Sequence, residues 1–117
     1  MVAITTQLSP NPASGNTTAD GTAQTLASSA GLSSGGIFVL IVETVNMAAG
    51  DVLELRLYTS VNTANDRQCA FASFSNAQSD VATLAMPVPV EAGGRFKATL
   101  KQAAGTNRSY QWKIVQL

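Results

Sequence analysis

Five carboxylates are the first candidates for chemistry in this chain: Glu43, Asp51, Glu54, Asp66 and Asp80. Acid–base or metal chemistry needs such groups to converge with a base or a nucleophile, and the chain has no histidine to supply the commonest of either. Glu54 stands two residues from Arg56 on one strand face, which is the spacing of a surface ion pair. Asp51 and Asp66 fall in Gly- and Asn-rich turns, where carboxylates accept hydrogen bonds from nearby backbone. Asn62, Asn65 and Asp66, or Asn76 and Asp80, offer oxygens to calcium but show neither EF-hand spacing nor a dense acidic run. The single cysteine, Cys69, alternates with Phe71 in an apolar strand and reads as a small buried hydrophobe. No catalytic, metal or cofactor site emerges. The chain reads as a non-enzyme without a cofactor.

The surface is more informative than the candidate chemistry. Only 12% of the 117 residues are charged, and seven acids balance seven bases. Globular domains average roughly 25% charged residues. The polar coat must therefore consist mainly of Thr, Ser, Asn and Gln, which cost far less to desolvate against a partner than charged groups do. That favours an oligomer or a lattice component. A neutral chain also lacks the broad basic surface of a nucleic-acid binder, and no run approaches the ~18 apolar residues of a membrane helix. The charges segregate along the chain: Asp20, Glu43, Asp51 and Glu54 precede any base, while Arg95, Lys97, Lys101, Arg108 and Lys113 close it without an acid. Alternation turns Tyr110 and Trp112 toward the core, which argues against a strand-stacking platform; Arg95, Lys97, Lys101 and Lys113 then either lie beside the early acids within one sheet or form a charged interface to the next subunit or a lattice.

These residues must be positioned by short strands. Apolar runs alternate with turn signals about every ten residues, which predicts an all-β, antiparallel β-sandwich, jelly-roll-like, of about seven to eight strands. The runs are 22–28, 37–46, 52–60, 67–75, 81–90, 95–103 and 109–117. Residues 1–21 form an extended N-terminal arm and 22–117 the sandwich domain. The arm has Pro10 and Pro12 to disfavour helix, Ile4 and Leu8 (with Val2) as anchors, and no signal-peptide pattern. An arm of this composition is ordered only if its own domain or a neighbouring subunit holds it.

Strand 37–45 is apolar on both faces, so it is central and covered, or it packs on another chain. Pro87 and Pro89 remove two donors from one side of 81–90, which predicts a blunted edge strand. A three-residue loop, Gly105-Thr106-Asn107, would place Asn107 at positive φ and set Leu100 against Trp112 in a closing hairpin, with Lys101 beside Gln111 and Thr99 beside Lys113.

The closing stretch from Glu91 to Leu117, with the Ala49-Gly50-Asp51-Val52-Leu53-Glu54-Leu55-Arg56 run before it, resembles small virion structural proteins of tailed bacteriophages. The resemblance extends over residues 22–117 in its short strands and Ala/Thr/Gly-rich turns, beside a polar N-terminal arm. It implies a capsid decoration (cement) protein on the outer surface of the virion. Such a protein is a homo-oligomer, typically a trimer, bound to a major capsid protein lattice, with no nucleic acid or membrane partner. The resemblance gives Ile4, Leu8, Pro10 and Pro12 a partner-binding role. The alternative is a carbohydrate-binding or adhesion module of a tail or surface protein, which would need Trp112 and Tyr58 exposed together on one concave face.

Overall fold

The computed structural model describes residues 3–61, 65–78, 82–84 and 87–117, so Val2, Asn62 and Asp80 lie outside the described residues. The strands are β1 (Ala3–Ile4), β2 (Ser14–Thr18), β3 (Gln24–Ser29), β4 (Gly36–Glu43), β5 (Val52–Thr59), β6 (Arg67–Ser75), β7 (Ala82–Leu84), β8 (Val88–Val90), β9 (Phe96–Ala104) and β10 (Ser109–Gln116). They form two antiparallel sheets. In sheet 1, β1 and β2 share one edge of β10, β10 pairs with β4, and β7 and β8 share the other edge of β4. Sheet 2 runs β3-β9-β5-β6. Counting β1 with β2 and β7 with β8 as single interrupted strands gives eight positions, in the orders 1-8-3-6 and 2-7-4-5. Neighbours in sequence thus fall mostly in different sheets, the double-sheet arrangement of a jelly roll.

The core follows from alternation. β5 sends Leu53, Leu55 and Leu57 inward and Glu54, Arg56 and Tyr58 outward. β9 does the same with Phe96, Ala98 and Leu100 against Lys97 and Lys101, and β4 contributes Phe38, Leu40 and Val42. Across the sandwich the rings of Phe38 and Phe96 lie 5.2 Å apart, locking one sheet to the other through an aromatic pair. Tyr110, Trp112 and Ile114 complete the inward face of β10, as the sequence predicts.

Three expectations are corrected. The closing segments do not form a hairpin: β9 belongs to sheet 2 and β10 to sheet 1, so Leu100 pairs with Leu55 and Gln24, and Trp112 with Val42 and Gly15. Both Leu100 and Trp112 still face the core, but from opposite walls; inward alternation alone does not distinguish a hairpin from an arch. The positive φ in the connection belongs to Gly105 (86°) rather than Asn107. Cys69 is exposed. In β6 both faces read as apolar, and the leucines of β5 decide between them: Ala70, Ala72 and Phe74 lie opposite Leu57, Leu55 and Leu53 and pack on the core. Phe71 is left outside, 50% exposed.

Residues 3–18 lie on their own domain. Ala3 and Ile4 pair with Gln116 and Val115, while Ser14–Thr18 pair with Ser109–Lys113. Between these segments the chain crosses to the other sheet, where Ser9 exchanges backbone hydrogen bonds with Ser28 at 3.0 and 3.2 Å. Leu8, expected on a partner, is buried in this chain's own core, because the crossing closes an open side of the sandwich. Pro10 and Pro12 are exposed, and both follow cis peptide bonds.

If this segment is part of the core rather than a free arm, Leu8→Ala costs about 2–4 kcal/mol in urea unfolding. Thr6→Ala, exposed two residues away, changes stability by less than about 0.5 kcal/mol.

Candidate functional site

Of the candidate carboxylates, Asp51, Glu54 and Asp66 are held in structural roles. Asp51, only 1% exposed, accepts hydrogen bonds from the Ala48 N–H at 2.9 Å and the Thr106 N–H at 3.1 Å, and pairs with the Arg108 guanidinium. The Ala48 contact is the local backbone cap expected of a turn aspartate. The other two tie the β4–β5 turn to the β9–β10 connection. Gly105 sits against Asp51 so closely that any Cβ would collide with the carboxylate, and its φ of 86° is strained for other residues. The Ala48 N–H, and after it Arg108, hold the Asp51 carboxyl below the usual carboxylate range. No sequence motif announces this tie, since its ends lie 57 residues apart.

Asp66 takes Arg95 at 3.0 Å and Lys97 at 3.9 Å, and Glu54 takes Arg56 at 3.0 Å as its spacing predicts. The Asn76 side-chain oxygen accepts the Gly50 N–H. Among the described residues, no three of His, Cys, Asp or Glu are grouped to hold a metal. The Cys69 thiol donates to the Leu57 carbonyl at 3.4 Å, and partial desolvation pushes its pKa up, the opposite of what a nucleophile requires.

What remains are two outer sheet faces of different chemistry. Sheet 2 presents Arg56 over the Phe71 ring (4.8 Å to the centroid) and Lys97 over Tyr58 (4.5 Å), with Lys101 opposite Glu54 in the β5–β9 register. Cations stacked on rings and paired with acids make this face polar, with bases in excess. Lys113 is not part of it: it is exposed on the outer face of sheet 1. The structure therefore separates the expected set of Arg95, Lys97, Lys101 and Lys113, because β9 and β10 lie in opposite sheets.

Sheet 1 is apolar outside as well as inside. β4 is central, flanked by β10 and by β7 and β8, and its outward residues Ile37, Val39 and Ile41 adjoin Val115 of β10, Leu117 just beyond it, and Ile4 of β1. Val39 and Val115 are buried although neither belongs to the core cluster between the sheets. Ile4 is 37% exposed, Ile37 40% and Leu117 54%. Toward the β2 side the face dips into an open groove of about 660 Å³, where Ile4 and Ile41 meet Ser14, Asn16, Glu43, Gln111 and Lys113. Gly15 lets the Trp112 indole approach the β2 backbone, and the indole N–H donates to Thr17 at 3.0 Å. Trp112 is buried under sheet 1 and Tyr58 lies beneath Lys97 on sheet 2, so they form no common aromatic platform.

No family model and no curated protein matches this chain. Solved structures to which it is similar include Eiger TNF from S. frugiperda, at 12% identity and a TM-score of 0.41, covering 74% of this chain and 62% of that one. The infectious bursal disease virus Gx strain is similar at 16% identity and 0.46, covering 99% of this chain and 30% of that one. The VP2 subviral particle of infectious bursal disease virus is similar at 12% identity and 0.44, covering 89% and 30%. This chain thus spans less than two thirds of the length of each.

The Asp51 tie has a pH signature. A carboxyl whose folded pKa is depressed contributes stability that is complete above its unfolded pKa of about 4 and lost as pH falls through the folded value. Asp51→Asn lowers Tm at pH 7, and the gap to the parent protein narrows as pH drops below about 4, measured by calorimetry at a series of pH values.

Proposed function

We propose that this protein is a structural subunit of a virus particle of the tailed-bacteriophage kind, a decoration protein that sits on the outer capsid surface as a homo-oligomer. The observation that carries this reading is the outer face of sheet 1. A contiguous apolar patch on a folded domain marks an interaction surface, and this one extends across β1, β4 and β10. The neutral composition supports it, because hydroxyl and amide groups around such a patch are desolvated at little cost.

In this reading the two faces divide the work. The apolar face of sheet 1 joins copies. Sheet 2, with its excess of bases, turns toward an acidic surface of the shell lattice, where charge complementarity fixes orientation and speeds docking. Residues 3–18 act as part of the subunit's own sandwich, so shell contacts from this region come from its exposed side chains, Pro10 and Pro12 among them.

Particles isolated on a density gradient from lysates that contain the protein test the assignment. The chain co-sediments with the particles at a fixed ratio to the major shell protein, and Lys97→Glu with Lys101→Glu reduces that ratio several-fold. A chain that stays entirely in the soluble fractions overturns the proposal.

A further inference from the structure

The outer face of sheet 1 is the surface by which copies of this chain join, and we infer that its specific occupant is a second copy held by reciprocal Glu43–Lys113 pairs. This deepens the proposed function and rests on it for the existence of an oligomer. Three observations identify a copy rather than another partner.

The first is charge. Glu43 on β4 and Lys113 on β10 are both exposed, both line the groove, and neither makes an ion pair with another described residue, whereas Asp51, Glu54 and Asp66 are each paired within the subunit. Lys113 lies opposite Ile41 and Glu43 lies one position further along the same face, so acid and base sit diagonally across the β4–β10 seam. A surface carrying one acid and one base beside an apolar patch is complementary to itself. Glu43 of one copy meets the lysine of the next while the apolar residues of both are buried.

The second is the character of the patch. Ile4, Ile37, Ile41 and Leu117 are bulky aliphatic residues without an aromatic among them, and they surround Val39 and Val115. That composition suits a dry contact with another aliphatic sheet face. The one ring among the described residues lining the groove, Trp112, is only 6% exposed, too little for a sugar to stack on. The third is size. β4 has eight residues; at ~3.3 Å per residue and ~4.8 Å between four strand positions, the face spans about 26 by 19 Å. That is about 500 Å² in projection, more than half of the ~800 Å² that each partner contributes to a standard interface before side-chain relief is added.

The test uses the full chain at about 100 µM in light scattering, with calorimetry on each variant to establish folding. The wild type has the mass of a dimer, because a reciprocal contact between identical faces closes at two copies. Ile37→Asp has the mass of a monomer, while Phe71→Ser on the other sheet leaves the mass unchanged. Glu43→Lys and Lys113→Glu each weaken association roughly three- to ten-fold, and the double exchange restores it. A monomeric wild type, or an oligomer that Phe71→Ser dissociates and Ile37→Asp does not, overturns the inference. Gradient co-sedimentation separates this from the proposed function: an oligomer indifferent to Ile37→Asp that still travels with particles sinks only the interface. An oligomer dissolved by Ile37→Asp but absent from particles sinks only the virion assignment.

Discussion

The arrangement of both sheets turns on the tie between Asp51 and the connection leading from β9 to β10. Two long strands separated by a four-residue link would ordinarily fold back on each other as a hairpin and leave one sheet. Here the link carries the chain from one wall of the sandwich to the other. Asp51 makes that crossing definite by accepting the Thr106 N–H and the Arg108 guanidinium while capping its own turn at Ala48. A buried carboxylate is tolerable only because its partners offset the desolvation, so arch and turn require each other. Gly105 leaves space for the carboxylate and supplies the positive φ.

Once β9 and β10 part, the rest of the architecture follows. β9 takes the centre of sheet 2 beside β5, where Asp66, just ahead of β6, holds Arg95 and Lys97, and Lys101 lies opposite Glu54, itself paired with Arg56. β10 takes the centre of sheet 1 beside β4, carrying Lys113 away from the other bases. Part of the charge late in the chain is thus paired inside the subunit, through Asp66 and Asp51. On the outer face of sheet 1 Glu43 and Lys113 flank aliphatic residues. That division gives the molecule one face to bury and one to keep polar.

The N-terminal segment shows how a polar stretch can belong to a core. Thr5, Leu8 and Ala13 are buried within residues 3–18, although most of their neighbours are exposed. Two short pairings to β10 and one bridge to β3 are enough to lay the chain across both sheets, with the Thr5 hydroxyl donating to Gln116 at 2.9 Å and the Gln7 amide donating to the same oxygen at 2.9 Å. The segment that reads as an arm therefore closes the sandwich as part of it.

Strand positions, the antiparallel sandwich, the inward rows of β5 and β9, the edge character of the proline-bearing segment and the Glu54–Arg56 pair were all legible in the sequence. Each depends on alternation or short spacing, which a single strand carries in its own residues. Besides the Asp51 tie and the seating of residues 3–18, three features were decided only by tertiary structure. These are the sheet to which each strand belongs, the outward face of β6 with Cys69 and Phe71, and the separation of Lys113 from the other bases. An inward-facing residue fits either wall of a sandwich, and a strand apolar on both faces takes its orientation from its neighbour, so pairing partners distant in sequence settle what local periodicity leaves degenerate. The sequence by itself determined that β4 would be apolar on both sides. The fold determined that one of those sides, with Glu43 and Lys113 beside it, would face outward.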